Sequence, residues 1–241
     1  MKNILILGSR SELGKKAIKF LKHQNYKLYL DNLIKKQNKK NYKNFILDSS
    51  SKIDIILNLV GYSGKSREKL RESNYNFTKM LVQTINSIKK IKILLIHFST
   101  IGVLDLENTK KDRYKANNYY EFTKILSEKL ILKRKNKFNY LILRAAALHE
   151  LQKSNLTKNV SSVIFFKKYI FVSNDKSKIY FTNVKDLLEF IIKLLNRKKA
   201  NKIFNISESL DIKSYLNKIK KNNIIIINFY PFITYLFRKF S

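Results

Sequence analysis

At 241 residues the chain can bury one substantial core with a small appended lobe. The absence of Cys excludes disulfides, thiolate metal sites and a cysteine nucleophile, and it suits a cytoplasmic setting. Fifty Lys and Arg against 17 Asp and Glu give a formal net charge of +33, yet the lysines punctuate every segment as solvated faces do, which predicts no specific nucleic-acid partner.

Residues 3–7 form a short continuous apolar run that predicts a buried strand. A turn at 8–14 follows, then a helical pattern at 15–23 with Ala17, Ile18, Phe20 and Leu21 among lysines. Residues 27–30 predict a second strand, 35–43 a polar loop, and 45–47 and 53–57 further strands. Helices are predicted at 77–88 and 119–132, and strands at 91–98 and 140–143. Such alternation specifies a parallel sheet with right-handed crossovers, an α/β doubly wound, Rossmann-like architecture. Beyond Arg144 the pattern predicts a helix at 160–168, strands at 169–172 and 178–182, and an amphipathic helix at 186–195. A strand at 203–206, a helix at 209–219, a strand at 224–227 and an apolar helix after Pro231 complete the reading. Residues 1–145 are thus expected to form a dinucleotide-binding domain. Residues 146–241 are expected to form a small C-terminal substrate lobe, with segments returning to the main domain.

The short apolar run at 4–7 predicts no signal peptide, and the stretch 224–237, broken by Asn228 and Pro231, predicts no membrane span. His23, His97 and His149 lack metal-ligand spacing, so no metal site is expected. Asn, Ile and Tyr, residues with A/T-rich codons, are inflated alongside Lys, while Trp and Cys are missing. Coding bias therefore explains the charge, and any polyanion attraction should be nonspecific and sensitive to salt.

Gly8, Ser9, Arg10, Ser11, Glu12, Leu13 and Gly14 lie between the first predicted strand and helix. There a pyrophosphate can rest on the unpaired N–H groups and the positive dipole end of a helix N-terminus. Asp31 ends the second predicted strand, where a carboxylate can accept both adenosine ribose hydroxyls and so favours NAD. Arg10 points the other way, since a guanidinium in this turn could pair with the 2′-phosphate of NADP. Both cofactors stay open, with NAD preferred.

Three Tyr-x-x-x-Lys pairs occur, at Tyr75/Lys79, Tyr120/Lys124 and Tyr235/Lys239, against about two expected by chance in so Tyr- and Lys-rich a chain. Only Tyr120/Lys124 has a nucleotide-binding pattern upstream and a strand ending in Ser99-Thr100 before it. Four apart on a helix, Tyr120 and Lys124 share a face. Lowering a phenol by three units costs about 4 kcal/mol, which one cation about 4 Å away can supply at an effective dielectric of 20. Lys124 together with the oxidised nicotinamide is therefore expected to make Tyr120 the base in one direction and the acid in the other.

At these residues the chain resembles the extended short-chain dehydrogenase/reductase family, in its NAD-dependent epimerase/dehydratase group. Gly8 and Gly14 match the ends of that family's Gly-x-x-Gly-x-x-Gly turn, with Ser11 at the middle glycine. Leu30-Asp31-Asn32-Leu33 is similar to its Leu-Asp-Asn-Leu, and the stretch from Asp54 through Val60 and Gly61 resembles its Asp-Val-Val-Ile-His-Leu-Ala-Gly. The segment opening at Asn74 resembles its Asn-Val-x-Gly-Thr-x-Asn-Leu, and Tyr120, Lys124 and Glu128 fit its Tyr-x-x-x-Lys-x-x-x-Glu helix. Leu143-Arg144 resembles its Leu-Arg-Pro strand end. Residues 174–183 resemble a stretch of UDP-sugar 4-reductases and 4-epimerases from O-antigen pathways.

The resemblance implies catalysis by Thr100, Tyr120 and Lys124, with hydride passing between a nicotinamide cofactor and a sugar carbon. It implies cofactor contacts from residues 8 and 10–14, Asp31, Asn32, Val60, Gly61, Asn74, Tyr120 and Lys124. Ser99, Thr100 and Lys176 would meet a nucleotide-sugar substrate, and a homodimer stays open. Reductase and epimerase are not separated by the fold. The alternative is a degenerate dinucleotide-binding member acting as a sensor or scaffold, motivated by Ser11 and shortened loops.

Overall fold

A computed structural model of the chain describes residues 1–34, 38–88, 93–105, 113–133, 138–149, 162–165, 168–173, 178–197, 200–211 and 224–228. Its elements begin with β1 (Lys2–Leu7), α1 (Glu12–Lys22), β2 (Tyr26–Leu30), α2 (Lys39–Ser49) and β3 (Ile55–Asn58). Next come α3 (Arg67–Leu70), α4 (Phe77–Ser87), β4 (Leu94–Thr100), α5 (Tyr119–Lys133) and β5 (Asn139–Ala145). Four strands follow: β6 (Ala147–His149), β7 (Ser162–Phe165), β8 (Lys168–Ser173) and β9 (Lys178–Asn183). The last are α6 (Val184–Asn196), β10 (Lys202–Ile206), β11 (Glu208–Asp211) and β12 (Ile224–Asn228). Two compact units result, Met1–Ala145 with Val184–Ile206, and Ala146–Asn183 with Ser207–Ser241.

The first unit carries a six-stranded parallel sheet in the order β10-β5-β4-β3-β1-β2. Its inner strands are apolar on both faces: Ile4 to Leu7 and Ile55 to Leu57 are all buried. Continuous rather than alternating apolar runs are what helices on both sides of a sheet require. Leu5, Leu7 and Ile56 pack with Leu81 and Val82 of α4 and with Ile131 of α5 in one core cluster. Strand order reverses at β1, which pairs with β2 on one side and β3 on the other. The crevice beyond the carboxyl ends of β1 and β3 is where this architecture receives ligands.

Two departures from the sequence expectation lie in this unit. Residues 45–47 do not form a strand, and residues 39–43 are not loop; all belong to α2. Asn38 caps that helix, its side chain accepting from Asn41 N–H at 2.9 Å. Tyr42 and Ile46, four residues apart, turn into the core. A three-residue apolar run fits either periodicity, and here the buried helical pair decides it. The second departure is at 66–76, which the sequence pattern left unassigned. Ser66 caps α3 through Lys69 N–H at 3.3 Å, and a π-helical turn at Arg71–Asn76 leads into α4.

In the second unit, β9 joins antiparallel β11 to parallel β6, and β8 joins parallel β12 to antiparallel β7. Residues 162–165 are strand where a helix at 160–168 was predicted. Isolated Ser162-Val-Ile-Phe165 is β-branched and aromatic, a composition that suits a pleated surface. The helix predicted at 209–219 is replaced at its start by β11, and its remainder lies outside the described residues, as does the helix after Pro231. Among the described residues no helix is long and apolar enough to cross a membrane, and no group of three or more His, Asp and Glu could hold a metal ion.

Candidate active site

The turn between β1 and α1 is built without slack. Gly8 has φ +83°, and a Cβ there would stand 2.9 Å from the Leu59 carbonyl carbon just past β3. Gly14 lies so close to Gly8 O that a Cβ would come within 2.3 Å of it. Both positions therefore need glycine, one for its dihedral and one for close approach. Ser11 does not need to be one. Its backbone is extended, and its hydroxyl donates to Gly8 O at 2.7 Å while accepting from Gly14 N–H at 3.0 Å. It is the N-cap of α1, so the family's missing middle glycine has become a helix-capping residue. Glu12 and Leu13 open the helix, placing the first turn of α1 at the crevice.

Asp31 stands at the end of β2, as the sequence predicts, but its carboxylate faces inward. Oδ2 accepts from Gly8 N–H at 2.7 Å and from the Tyr42 hydroxyl at 3.1 Å. Oδ1 accepts from Ser9 N–H at 3.0 Å and from the Ser9 hydroxyl. Asp31 is 1% exposed. The expectation that it offers both oxygens to ribose hydroxyls is therefore not met in this arrangement, because four donors already occupy them. Burial and the neighbouring carboxylate hold the Tyr42 phenol above its ordinary range, so it remains a donor. Arg10 is exposed and donates from Nη2 to Asn32 O at 2.9 Å, lying across the end of β2.

Past β3 the chain runs through Val60 and Gly61, with Val60 N–H bonded to Asn58 Oδ1 at 3.2 Å. Asn74 sits inside the π-helical turn, a geometry that recurs at functional sites. Its side chain accepts from Tyr62 N–H at 2.9 Å and donates to Tyr62 O and Thr123 Oγ1, each at 3.0 Å. Its backbone carbonyl accepts from Ser127 Oγ and Thr78 Oγ1, both at 2.7 Å. Asn74 thus fastens the segment after β3 to α5. A Cβ on Gly61 would lie 3.3 Å from Asn74 Oδ1 and 3.6 Å from Lys124 Nζ, so these three residues share one small space.

Lys124 is 4% exposed, and its ammonium donates to Phe98 O at 2.8 Å, just before Ser99 and Thr100. Nζ lies 6.0 Å from the centroid of the Tyr120 ring, one turn back on α5. Thr100 Oγ1 accepts from Gly102 N–H at 3.3 Å, capping a short 3-10 turn that packs against Glu121. Among the described residues the buried Ser99 hydroxyl has no hydrogen-bond partner, nor has His97 Nε2; the other ring nitrogen of His97 meets Asn58 Nδ2 at 3.1 Å. Such unpaired polar groups at a strand end are costly in a purely structural site and fit one built to meet a ligand.

The protein's own groups do not by themselves acidify Tyr120. Burial, with Glu121 adding to it, pushes the Tyr120 phenol up to about 12. Burial lowers Lys124 to about 8 against an upward pull from Glu128. The same desolvation, with the Lys124 charge, holds His97 well below its ordinary value. One lysine that is itself desolvated does not outweigh the desolvation of the phenol. The protein's own groups thus keep the Tyr120 phenol protonated at neutral pH.

Sequence reasoning located the turn at 8–14, Asp31, Asn32, Asn74, Tyr120 and Lys124, and the structure brings them to one end of the sheet. Lys176 lies outside the described residues. Ser9, Tyr42, Asn58 and Thr123 went unnoticed, because each acts through a partner distant in sequence. Glu128 and Arg144 stood in matched motifs, but nothing in sequence marked them as each other's partner.

The whole of this site falls within the span of one family model, that of the RmlD substrate binding domain, which matches residues 1–213. The chain belongs to that family. No curated protein matches its sequence significantly. Among solved structures, it resembles a dTDP-4-dehydrorhamnose reductase from Clostridium acetobutylicum, with a TM-score of 0.75 and 16% identity over 94% of this chain and 83% of that one. It also resembles a UDP-glucuronic acid 4-epimerase from Bacillus cereus in complex with NAD, with a TM-score of 0.73 and 18% identity over 94% and 87%. A third is the dTDP-4-dehydrorhamnose reductase of Bacillus anthracis in complex with NADP, with a TM-score of 0.75 and 17% identity over 95% and 85%. At such identities the shared feature is the fold, a Rossmann-like parallel sheet.

Proposed function

We propose that the chain is an NAD(P)-dependent oxidoreductase or epimerase acting on a nucleotide-linked sugar. The observation that carries this reading is the buried Lys124, held against the end of β4 one helical turn from Tyr120, beside Asn74 and Gly61. A buried lysine costs stability unless its charge is used. Family membership and neighbours named as dTDP-sugar reductases and a UDP-sugar epimerase agree with it.

The glycine turn and the first turn of α1 would hold the pyrophosphate through Arg10, Ser11, Glu12 and Leu13, with Val60, Gly61 and Asn74 flanking the nicotinamide half. When bound, the nicotinamide supplies or accepts the hydride. Lys124 would hold the nicotinamide ribose, and Thr100 would hydrogen-bond the reacting oxygen. Tyr120, a neutral phenol raised to about 12, would donate its proton to the alkoxide that develops at that oxygen in the reductive direction and take it back in the reverse. We assign dinucleotide binding to the first unit and sugar recognition, with Lys176, to the second. A cytoplasmic setting and a homodimer belong to the same proposal.

The test is oxidation of NADH or NADPH, and product formation, with a panel of UDP- and dTDP-linked 4-keto sugars. Turnover of one of them supports the proposal. Tight dinucleotide binding without turnover of any would favour a sensor or scaffold.

A further inference from the structure

We propose that Glu121 is a specificity-determining residue, one oxygen of its carboxylate accepting from a sugar hydroxyl next to the reacting carbon. The proposal rests on the nucleotide-sugar reading above and assigns a recognition group to that same site.

Glu121 is braced at the start of α5. Asn118 caps the helix by accepting from Glu121 N–H at 2.9 Å, and Glu121 Oε2 accepts from Asn117 N–H at 2.6 Å. Such reciprocal capping fixes the side chain of the third helical residue and uses one carboxylate oxygen. The other, Oε1, has no hydrogen bond among the described residues and lies against Gly102. A Cβ on Gly102 would meet Oε1 at 2.6 Å, the carboxyl carbon at 3.0 Å and Cγ at 3.2 Å. Gly102 therefore serves close approach, and the two residues fit each other between the turn after β4 and the start of α5.

That fit brings the carboxylate to the reacting groups. Gly102 N–H donates to Thr100 Oγ1 at 3.3 Å, so Oε1 packs on the residue bonded to the hydroxyl assigned to the reacting oxygen. Tyr120 precedes Glu121 on α5, and the Glu121 charge adds to burial in holding its phenol up. The turn residues Ile101, Gly102 and Val103 carry no polar side chain of their own, so α5 supplies an acceptor there. Glu121 is only half-buried, which leaves it within reach of a ligand. An ionised carboxylate accepts and cannot donate, so it suits a sugar hydroxyl and not a keto oxygen. Helix capping accounts for Oε2 and leaves Oε1 without a partner.

The test combines binding and turnover on the whole chain. UDP-glucose, UDP-galactose, dTDP-glucose, UDP and dTDP are titrated in the presence of saturating NADH or NADPH, and the 4-keto sugars of the panel above are assayed for turnover. Glu121→Ala should weaken nucleotide-sugar binding about 10- to 100-fold and leave UDP and dTDP affinities as they were. In turnover the same loss should fall on KM rather than kcat, as for an interaction made equally in the ground and transition states. Glu121→Gln keeps an acceptor for Asn117 N–H, so it should match the wild-type melting temperature and still lose about tenfold. Gly102→Ala pushes the flexible Glu121 side chain aside, so it should mimic Glu121→Ala, and combining the two should add little. A single deoxy-sugar analogue should bind the wild type as weakly as the parent binds Glu121→Ala, and that variant should not distinguish the two. Unchanged nucleotide-sugar affinity and KM in Glu121→Ala, or an equal loss for UDP and dTDP alone, would overturn the proposal. Turnover by the wild type would then leave the nucleotide-sugar reading standing. A wild type that neither binds nor turns over any nucleotide sugar would overturn both.

Discussion

Arg144 and Glu128 form a buried bidentate ion pair, with Arg144 Nε 3.1 Å from both carboxylate oxygens and Nη2 2.7 Å from Oε2. Tyr114 completes the cluster, its hydroxyl donating to Glu128 Oε2 at 2.9 Å. The pair locks α5 to β5 one turn beyond Lys124, so the helix that carries Tyr120 and Lys124 has a fixed axial position. Removing one partner strands the other charge in the core. Glu128→Ala should therefore cost about 3–5 kcal/mol in urea unfolding, whereas replacing both residues with well-packed apolar ones should cost much less.

Lys124 predicts a trade between stability and function. Its value of about 8 in the folded protein lies below its ordinary 10.5, so between those values the unfolded chain binds more protons. Stability contributed by this residue therefore rises with pH from about 8 to 10.5, and below 8 its buried charge is a penalty of about 3 kcal/mol. Lys124→Met should raise stability at pH 7 by about 1–3 kcal/mol, the lost bond to Phe98 O offsetting part of the gain. It should also abolish that part of the rise on alkaline titration, seen as the difference between variant and wild type, and should weaken nicotinamide dinucleotide binding. A variant no more stable than wild type at pH 7 would mean that the Lys124 charge is better solvated than its burial indicates.

Much of this was legible in the sequence, and the reason lies in what each feature depends on. The continuous apolar strands predicted at 3–7 and 53–57, the glycine turn at 8–14 and the helix predicted at 119–132 are local signals, and local rules place these elements. The helix at 39–49 was misread because its deciding feature is the burial of Tyr42 and Ile46 against Phe77, Leu81 and their neighbours. Asp31 follows β2 as predicted, with a carboxylate turned inward for the same reason. Only the fold reveals that Tyr42 and Ser9 occupy its oxygens. The protonation of Tyr120 also depends on burial, which no spacing of charges can supply.

Ser11 offers a test confined to the turn. As the N-cap of α1 it satisfies Gly14 N–H, so Ser11→Ala should destabilise the protein by about 1 kcal/mol and Ser11→Gly by only a few tenths. Thermal melts of the two variants give the comparison. An alanine variant as stable as wild type would show that the hydroxyl does not cap the helix in solution.

Tyr120→Phe tests the central claim most directly. The change keeps the ring and its packing and removes only the transferable proton, so melting temperature and dinucleotide affinity should match wild type. With a nucleotide-linked keto sugar that the wild type reduces, turnover should fall by about 10²- to 10⁴-fold, the usual contribution of a general acid. Wild-type turnover in Tyr120→Phe, with the fold and the dinucleotide affinity intact, would show that Tyr120 does not deliver the proton.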